Sequence, residues 1–204
     1  MGQIAVYGGS FDPVHRGHEA VARAVLDSGR VDRVIWVPAG ASPFKHVEGQ
    51  GHASAADRLA MLECVVAGES RVSVSRVELD RAGPSYSVET LEALSAEHPG
   101  DALVWVVGAD SVEGLGRWHR AGELLGRFGV LVVPRPGWER GRCETLLDEH
   151  GRHLGVQVRW AWVEMDEVRV SSREIRGRLR RGESIADLVS EGVGAYICEH
   201  GLYR

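Results

Sequence analysis

Gly8-Gly9-Ser10-Phe11-Asp12-Pro13-Val14-His15-Arg16-Gly17-His18 is the stretch whose reading decides the fold. It follows the apolar run Ile4-Ala5-Val6-Tyr7 and precedes Ala20, Val21, Ala24 and Val25, which recur at helical spacing up to Gly29. The pattern is a buried strand that ends in glycines and turns straight into a helix. Glycines at such a turn let backbone N–H groups approach an anion closely. Ser10 adds a hydroxyl, and Asp12-Pro13 is a turn dipeptide. The helix N-terminus contributes a partial positive charge. His15 and His18 are three apart, so their side chains share one face of the helix start, with Gly17 leaving room between them for a flat ligand. The segment reads as a phosphate site with two imidazoles aimed at it. A His-x-x-His metal pair is the alternative, but no third ligand at a recognisable spacing accompanies it.

The same strand-then-helix alternation continues outward. Val34-Ile35-Trp36-Val37 is a second strand closed by Pro38, and residues 39–53 form a long loop. Ser54 and Asp57 have capping-box spacing before a helix that runs to about Ala67. Residues 72–74 predict a strand and 87–98 a helix. Residues 102–107 are the most apolar run and predict a central strand. Helical segments over 109–115 and 118–126, a strand over 128–133 and a helix over 138–153 follow. A strand over 158–163 and helices over 172–180 and 193–200 complete the pattern. Alternation of this kind predicts an α/β fold, a doubly wound, Rossmann-like parallel sheet with right-handed crossovers. Ligands then bind beyond the carboxyl ends of the strands, so Gly8-Gly9 and Gly108-Ala109-Asp110 are expected to face one crevice.

Composition narrows the function. With 204 residues, 44% of them hydrophobic, the chain fits one domain over 1–204, with a helical C-terminal part from about 171 to 204. A net charge of −5 and a pI near 6.0 argue against a nucleic-acid partner. No apolar stretch is long enough for a membrane helix, and the first residues carry no basic leader, so no membrane role is expected. Cys64, Cys143 and Cys198 are far apart and form no CxxC, which suits a reducing, cytoplasmic setting. Lys45 is the one lysine and follows Phe44, so there is no Walker A loop. No GxSxG and no catalytic-looking cysteine context is present either.

A second constellation lies at Val170-Ser171-Ser172-Arg173-Glu174-Ile175-Arg176. Ser171 and Glu174 have capping-box spacing, which makes another helix N-terminus with two hydroxyls. Arg176 falls on its first turn, where a guanidinium can grip a phosphate. Read alone, the segment is equally a capped surface helix with a solvated basic face.

Together the two constellations resemble the adenylyltransferase branch of the nucleotidyltransferase α/β superfamily. Further stretches sharpen the resemblance. They are Val37-Pro38-Ala39-Gly40-Ala41-Ser42-Pro43-Phe44-Lys45, Arg58-Leu59-Ala60-Met61-Leu62, Ser85-Tyr86-Ser87-Val88-Glu89-Thr90-Leu91, Gly108-Ala109-Asp110-Ser111, Trp118-His119 and Arg135-Pro136-Gly137. In that order and spacing they are similar to the bacterial nicotinate-nucleotide adenylyltransferases over essentially the whole chain. The resemblance implies a nucleotidyltransferase-type fold and a reaction in which nicotinate mononucleotide attacks the α-phosphorus of ATP. The products are nicotinate adenine dinucleotide and pyrophosphate, with Mg²⁺ carried by ATP and no dedicated protein ligands for it. It further implies that His15, His18 and Lys45 are catalytic. Gly9, Ser10, Phe11, His15, His18, Gly108, Asp110, Ser171, Ser172 and Arg176 are expected to hold ATP. Lys45, Tyr86, Ser87, Trp118 and Arg135 are expected to hold the mononucleotide, with Ser87 at its carboxylate and Trp118 stacked on the pyridine. Ser10 and Ser87 stand where threonine is commoner, and Ser42 where proline is, while Arg173 replaces a usual threonine and its hydroxyl. Turnover of nicotinamide mononucleotide and a non-catalytic nucleotide-binding regulator are the rival readings. The late helix faces would suit a homo-oligomer, and nothing in the sequence fixes one.

Overall fold

The computed structural model describes residues 2–40, 51–166 and 168–204. Lys45, expected in the catalytic set, lies outside the described residues.

Six parallel strands form one sheet. They are β1 (Gln3–Gly9), β2 (Arg33–Pro38), β3 (Val72–Val74), β4 (Ala102–Gly108), β5 (Gly129–Val133) and β6 (Trp160–Trp162). Their spatial order is β3-β2-β1-β4-β5-β6, so the direction of winding reverses between β1 and β4. That reversal opens a crevice at the carboxyl ends of these two strands. The helices are α1 (Arg16–Asp27), α2 (Ala55–Val66), α3 (Ser87–Glu97), α4 (Ala109–Val112), α5 (Ala121–Arg127), α6 (Arg140–Leu154), α7 (Ser172–Arg180) and α8 (Glu191–Glu199).

Both faces of the sheet are covered, which is why its strands read as unbroken apolar runs. Alternate residues nevertheless go to different cores. Ala5, Tyr7, Val34, Trp36, Val104 and Val106 face a core shared with α1, α2 and α8. Ile4, Val6, Ile35, Val37, Leu103, Trp105 and Val107 face the opposite core, with α3, α5 and α6.

The expected elements are all present, and their limits shift for local reasons. The expected 109–115 helix stops at Val112, and a 3-10 turn over Leu115–Arg117 follows, in a stretch broken by Gly114 and Gly116. α5 begins late because Arg120 takes a left-handed conformation, with φ of 52°. The last strand shrinks to the three residues of β6, which pairs with β5 and, among the described residues, has no further strand beyond it. α2 carries the expected capping box: Asp57 N–H donates to Ser54 Oγ at 3.1 Å and Ser54 N–H to Asp57 Oδ2 at 3.2 Å. α7 makes only half of its own. Glu174 N–H donates to Ser171 Oγ at 3.2 Å, but the Glu174 carboxylate turns away to accept from Arg178 at 3.0 Å.

The glycines ending β1 answer to packing. A Cβ on Gly8 would stand 2.6 Å from a ring carbon of Trp105, and one on Gly9 would stand 2.9 Å from Phe11. Aromatic rings therefore fill the space their absent side chains leave. Gly8→Ala is expected to lower stability by about 1–3 kcal/mol through overpacking. In a Trp105→Phe background the same change should cost less, because the six-membered ring of the indole is gone. Urea unfolding of the two singles and the double checks both values.

Candidate active site

A cleft of about 1290 Å³ opens at the β1/β4 reversal. Gly8 and Gly9 from β1, Gly108 from β4, and Asp110 from α4 meet along it, as the sequence predicts. Its far wall is the segment leading into α7, including Ser171, Ser172 and Arg176. The two constellations, some 160 residues apart in sequence, are thus brought together.

His15 is the N-cap residue of α1, and His18 lies one turn in. Their rings stack at 3.7 Å between centroids and 22° between planes. The backbone N–H of His15 donates to His18 Nδ1 at 3.3 Å, so the neutral His18 ring carries its proton on Nε2. Gly17 lines the cleft, and a Cβ there would lie 2.9 Å from Val170 and 3.1 Å from the His15 ring, so a side chain would crowd both.

Burial lowers the pKa of both imidazoles. His15 falls from 6.5 to about 4, through desolvation first and the nearby Arg135 charge second. His18 is held well below 6.5 by desolvation, then by His15, then by Arg135. Both rings are neutral at pH 7, and each can give one N–H to an oxyanion. Arg135 supplies the fixed positive charge at this end. Its Nε stands 3.7 Å from Asp110 Oδ1, and it opposes the upward shift that burial imposes on the Tyr7 phenol.

The rest of the GGSFDP loop is held from behind. Phe11 has φ of 48°, is 1% exposed, and stacks on Trp36 at 5.4 Å and 7°. Arg58, only 4% exposed, donates to the Ser10 carbonyl at 2.9 Å and the Ala39 carbonyl at 2.8 Å, clipping the ends of β1 and β2 together. Asp12 is 2% exposed. Its Oδ1 accepts from Ala53 N–H and from the Tyr203 hydroxyl, each at 2.9 Å. Its Oδ2 meets the His52 ring Nδ1 and stands 3.5 Å from Arg176. Arg176 also donates to the Asp12 carbonyl at 2.6 Å, and Ser172 Oγ donates to the Pro13 carbonyl at 2.9 Å. In this state, then, Ser171 caps α7, Ser172 ties α7 to the loop, and Arg176 has one amino group committed to Asp12.

Tyr86 and Ser87 sit at the start of α3. Tyr86 stacks on His119 at 4.1 Å, next to Trp118, and Trp118 lines the cleft. Of the expected mononucleotide residues, Trp118 and Arg135 line the cleft, Tyr86 and Ser87 are not among its lining residues, and Lys45 lies outside the described residues. Sequence reasoning missed Arg58 as a clip, Asp12 as a hub, and His52 and Tyr203 altogether. Arg58 left a signal, a charge on the apolar stripe of Met61 and Leu62. His52 and Tyr203 left none, because their partner is distant in sequence.

A doubly wound parallel sheet with a cleft at its switch point is an architecture that binds nucleotides in many enzymes. Residues 6–178 match the family described as Cytidylyltransferase-like. The chain is 38% identical to a probable nicotinate-nucleotide adenylyltransferase of Geobacillus thermodenitrificans, over all of this chain and 87% of that one. It is likewise 38% identical to a protein of the same description from Gloeobacter violaceus, over all of this chain and 97% of that one. Among solved structures, the Plasmodium falciparum nicotinic acid mononucleotide adenylyltransferase complexed with NaAD shares the fold, with a TM-score of 0.79 at 18% identity over all of this chain and 98% of that one. The chain belongs to the cytidylyltransferase-like family and, within it, to the nicotinate-nucleotide adenylyltransferases.

The depressed imidazole pKa values have a measurable consequence. Between pH 4 and 6.5 the unfolded chain binds protons that folded His15 refuses. Stability is therefore full above pH 6.5 and falls as pH drops toward 4. The share of His15 is about 2–3 kcal/mol. Urea unfolding at pH 7 and pH 4.5 should show a smaller acid loss in His15→Gln than in the wild type.

Proposed function

We propose that this enzyme joins ATP to nicotinate mononucleotide, giving nicotinate adenine dinucleotide and pyrophosphate. The observation that carries the reading is the stacked His15/His18 pair at the N-terminus of α1, inside the β1/β4 cleft and facing the start of α7. Two neutral N–H donors and a helix dipole suit a phosphoryl group that gains charge as it reacts. The relatives' descriptions name the acceptor.

In the proposed step a phosphate oxygen of the mononucleotide attacks the α-phosphorus of ATP. The bond from that phosphorus to the oxygen bridging the β-phosphate breaks, and pyrophosphate leaves with the electron pair. Both reactants bring their own reactive groups, so the protein's part is to position them and to stabilise charge. His18 and His15 hold the α-phosphate oxygens, backed by Gly9, Ser10 and Phe11. Gly108 and Asp110 hold the adenosine, with Asp110 accepting from ribose hydroxyls. Ser171, Ser172 and Arg176 hold the β- and γ-phosphates. The 9-residue α7 adds its own N-terminal dipole there. Lys45 neutralises phosphate charge. Trp118 stacks on the pyridine, Tyr86 and Ser87 receive its carboxylate at the α3 start, and Arg135 lies between the two reactants.

Among the described residues, no three His, Cys, Asp or Glu side chains converge on a metal position. We propose that Mg²⁺ arrives chelated by the triphosphate as part of the substrate. The proposed setting is the cytoplasm: all three cysteines are free, and Cys64 and Cys198 are exposed. Among the described residues, no helix is long and apolar enough to cross a membrane.

The test is pyrophosphate release from ATP and Mg²⁺ with nicotinate mononucleotide, with its amide, and with no acceptor. A strong preference for the acid is expected. Equal rates would remove the account of Ser87, and no release with either acceptor would sink the proposal. In the same assay His18→Ala should lower kcat by about 10²–10³, the cost of one preorganised donor, with the fold intact. Unchanged turnover would deny His18 its place at the reacting phosphate.

A further inference from the structure

His52 lines the cleft, yet it belongs to neither constellation. Its ring Nδ1 is bonded to Asp12 Oδ2, on a carboxylate only 2% exposed. The neighbouring Ala53 N–H donates to the other oxygen of the same carboxylate at 2.9 Å. On the other side, Gly51 has φ of 92°, and a Cβ there would lie 2.5 Å from the Arg180 guanidinium of α7. A side chain at 51 would force the Arg180 guanidinium to move. The imidazole is thus placed by two bonds to a buried group and by close approach to α7, although it is 31% exposed itself.

The Asp12 bond takes the Nδ1 edge of the ring. The residue itself lines the cleft. The groups around it are the Asp12 carboxylate, the Tyr203 hydroxyl and Arg176 that share that carboxylate, and Arg180 beyond Gly51. Arg176 stands 3.5 Å from the very oxygen that His52 engages. An anion drawn to Arg176 and to the start of α7 therefore arrives beside His52. A phosphate oxygen beside Arg176 would meet the imidazole through the nitrogen that Asp12 does not engage.

We propose that His52 is a further polyphosphate-binding residue, oriented by Asp12, that contacts the β/γ-phosphates of the nucleotide and hence the departing pyrophosphate. The inference rests on the reading of this cleft as an ATP site. Because the ring is partly exposed and sits in a loop, His52→Gln should fold normally. Its KM for ATP and its inhibition constant for pyrophosphate should each rise about five- to tenfold, while KM for the mononucleotide stays near wild type. Unchanged ATP and pyrophosphate constants would overturn the assignment. So would an equal loss for both substrates accompanied by a lower Tm, which would make His52 only a loop anchor. The wild type run alongside keeps the two readings separable. A wild type that neither binds ATP nor releases pyrophosphate refutes the functional proposal itself, whereas an active wild type matched by His52→Gln refutes only the role of His52.

Discussion

The Asp12 carboxylate is the interaction on which the site depends. It is buried, and burying an unpaired carboxylate is prohibitively unfavourable, so it must be satisfied from all sides. The satisfaction comes from far away in sequence: Ala53 N–H and the His52 ring before α2, Arg176 on α7, and the Tyr203 hydroxyl. Each of these donors fixes a wall of the cleft relative to the β1–α1 turn. Burial first, and then the Asp12 charge and the hydrogen bond to it, keep the Tyr203 phenol a donor far above ordinary pH. One charge thus sets the distance between the imidazole pair and the facing helix.

A second constraint acts from below. The turn after β1 is carried on a set of packed rings: Tyr7, Phe11 and Trp36, with His18 edge-on to Phe11 at 4.9 Å. The Phe11 ring leaves no volume for a side chain at Gly9. The packed rings also dehydrate the imidazoles, which is the largest cause of their lowered pKa. The apolar platform therefore helps set both the shape of the site and its protonation state. The imidazoles face the cleft as neutral groups, while Arg135, Arg169, Arg173 and Arg176 line it as cations.

How much of this was legible in the sequence follows from the range of each interaction. Strand and helix positions were readable because periodicity is local, and the crevice followed from Gly8-Gly9 and Gly108 ending two adjacent strands. The His15/His18 pairing was readable because three-residue spacing fixes a helical face. The close approach of Val170 to Gly17 was not readable, because Val170 lies far along the chain. The capping box at Ser171 was half right because Glu174 had a rival partner in Arg178, one turn further on. Asp12 passed as a turn residue because its partners lie 40 to 191 residues away, and no local pattern marks them. The nucleotide roles came from resemblance, since spacing alone identified an anion site and not its ligand.

The bond from Tyr203 to Asp12 spans 191 positions and closes nearly the whole chain into a ring. Such a closure loses the most chain entropy and comes late, after the nearer strand pairs have met. The sheet and the cleft are therefore separable events in folding. A partly folded molecule can hold all its strands in register and still present no assembled cleft. The same separation operates in the mature protein. Release of the segment from α7 to Tyr203 is a local opening, less costly than melting the sheet, and backbone amides there should exchange with solvent well before those of β1 and β4. A ligand that bridged the β1–α1 turn and α7 would add a second closure across the same gap and tie occupancy of the cleft to the order of the C-terminal segment.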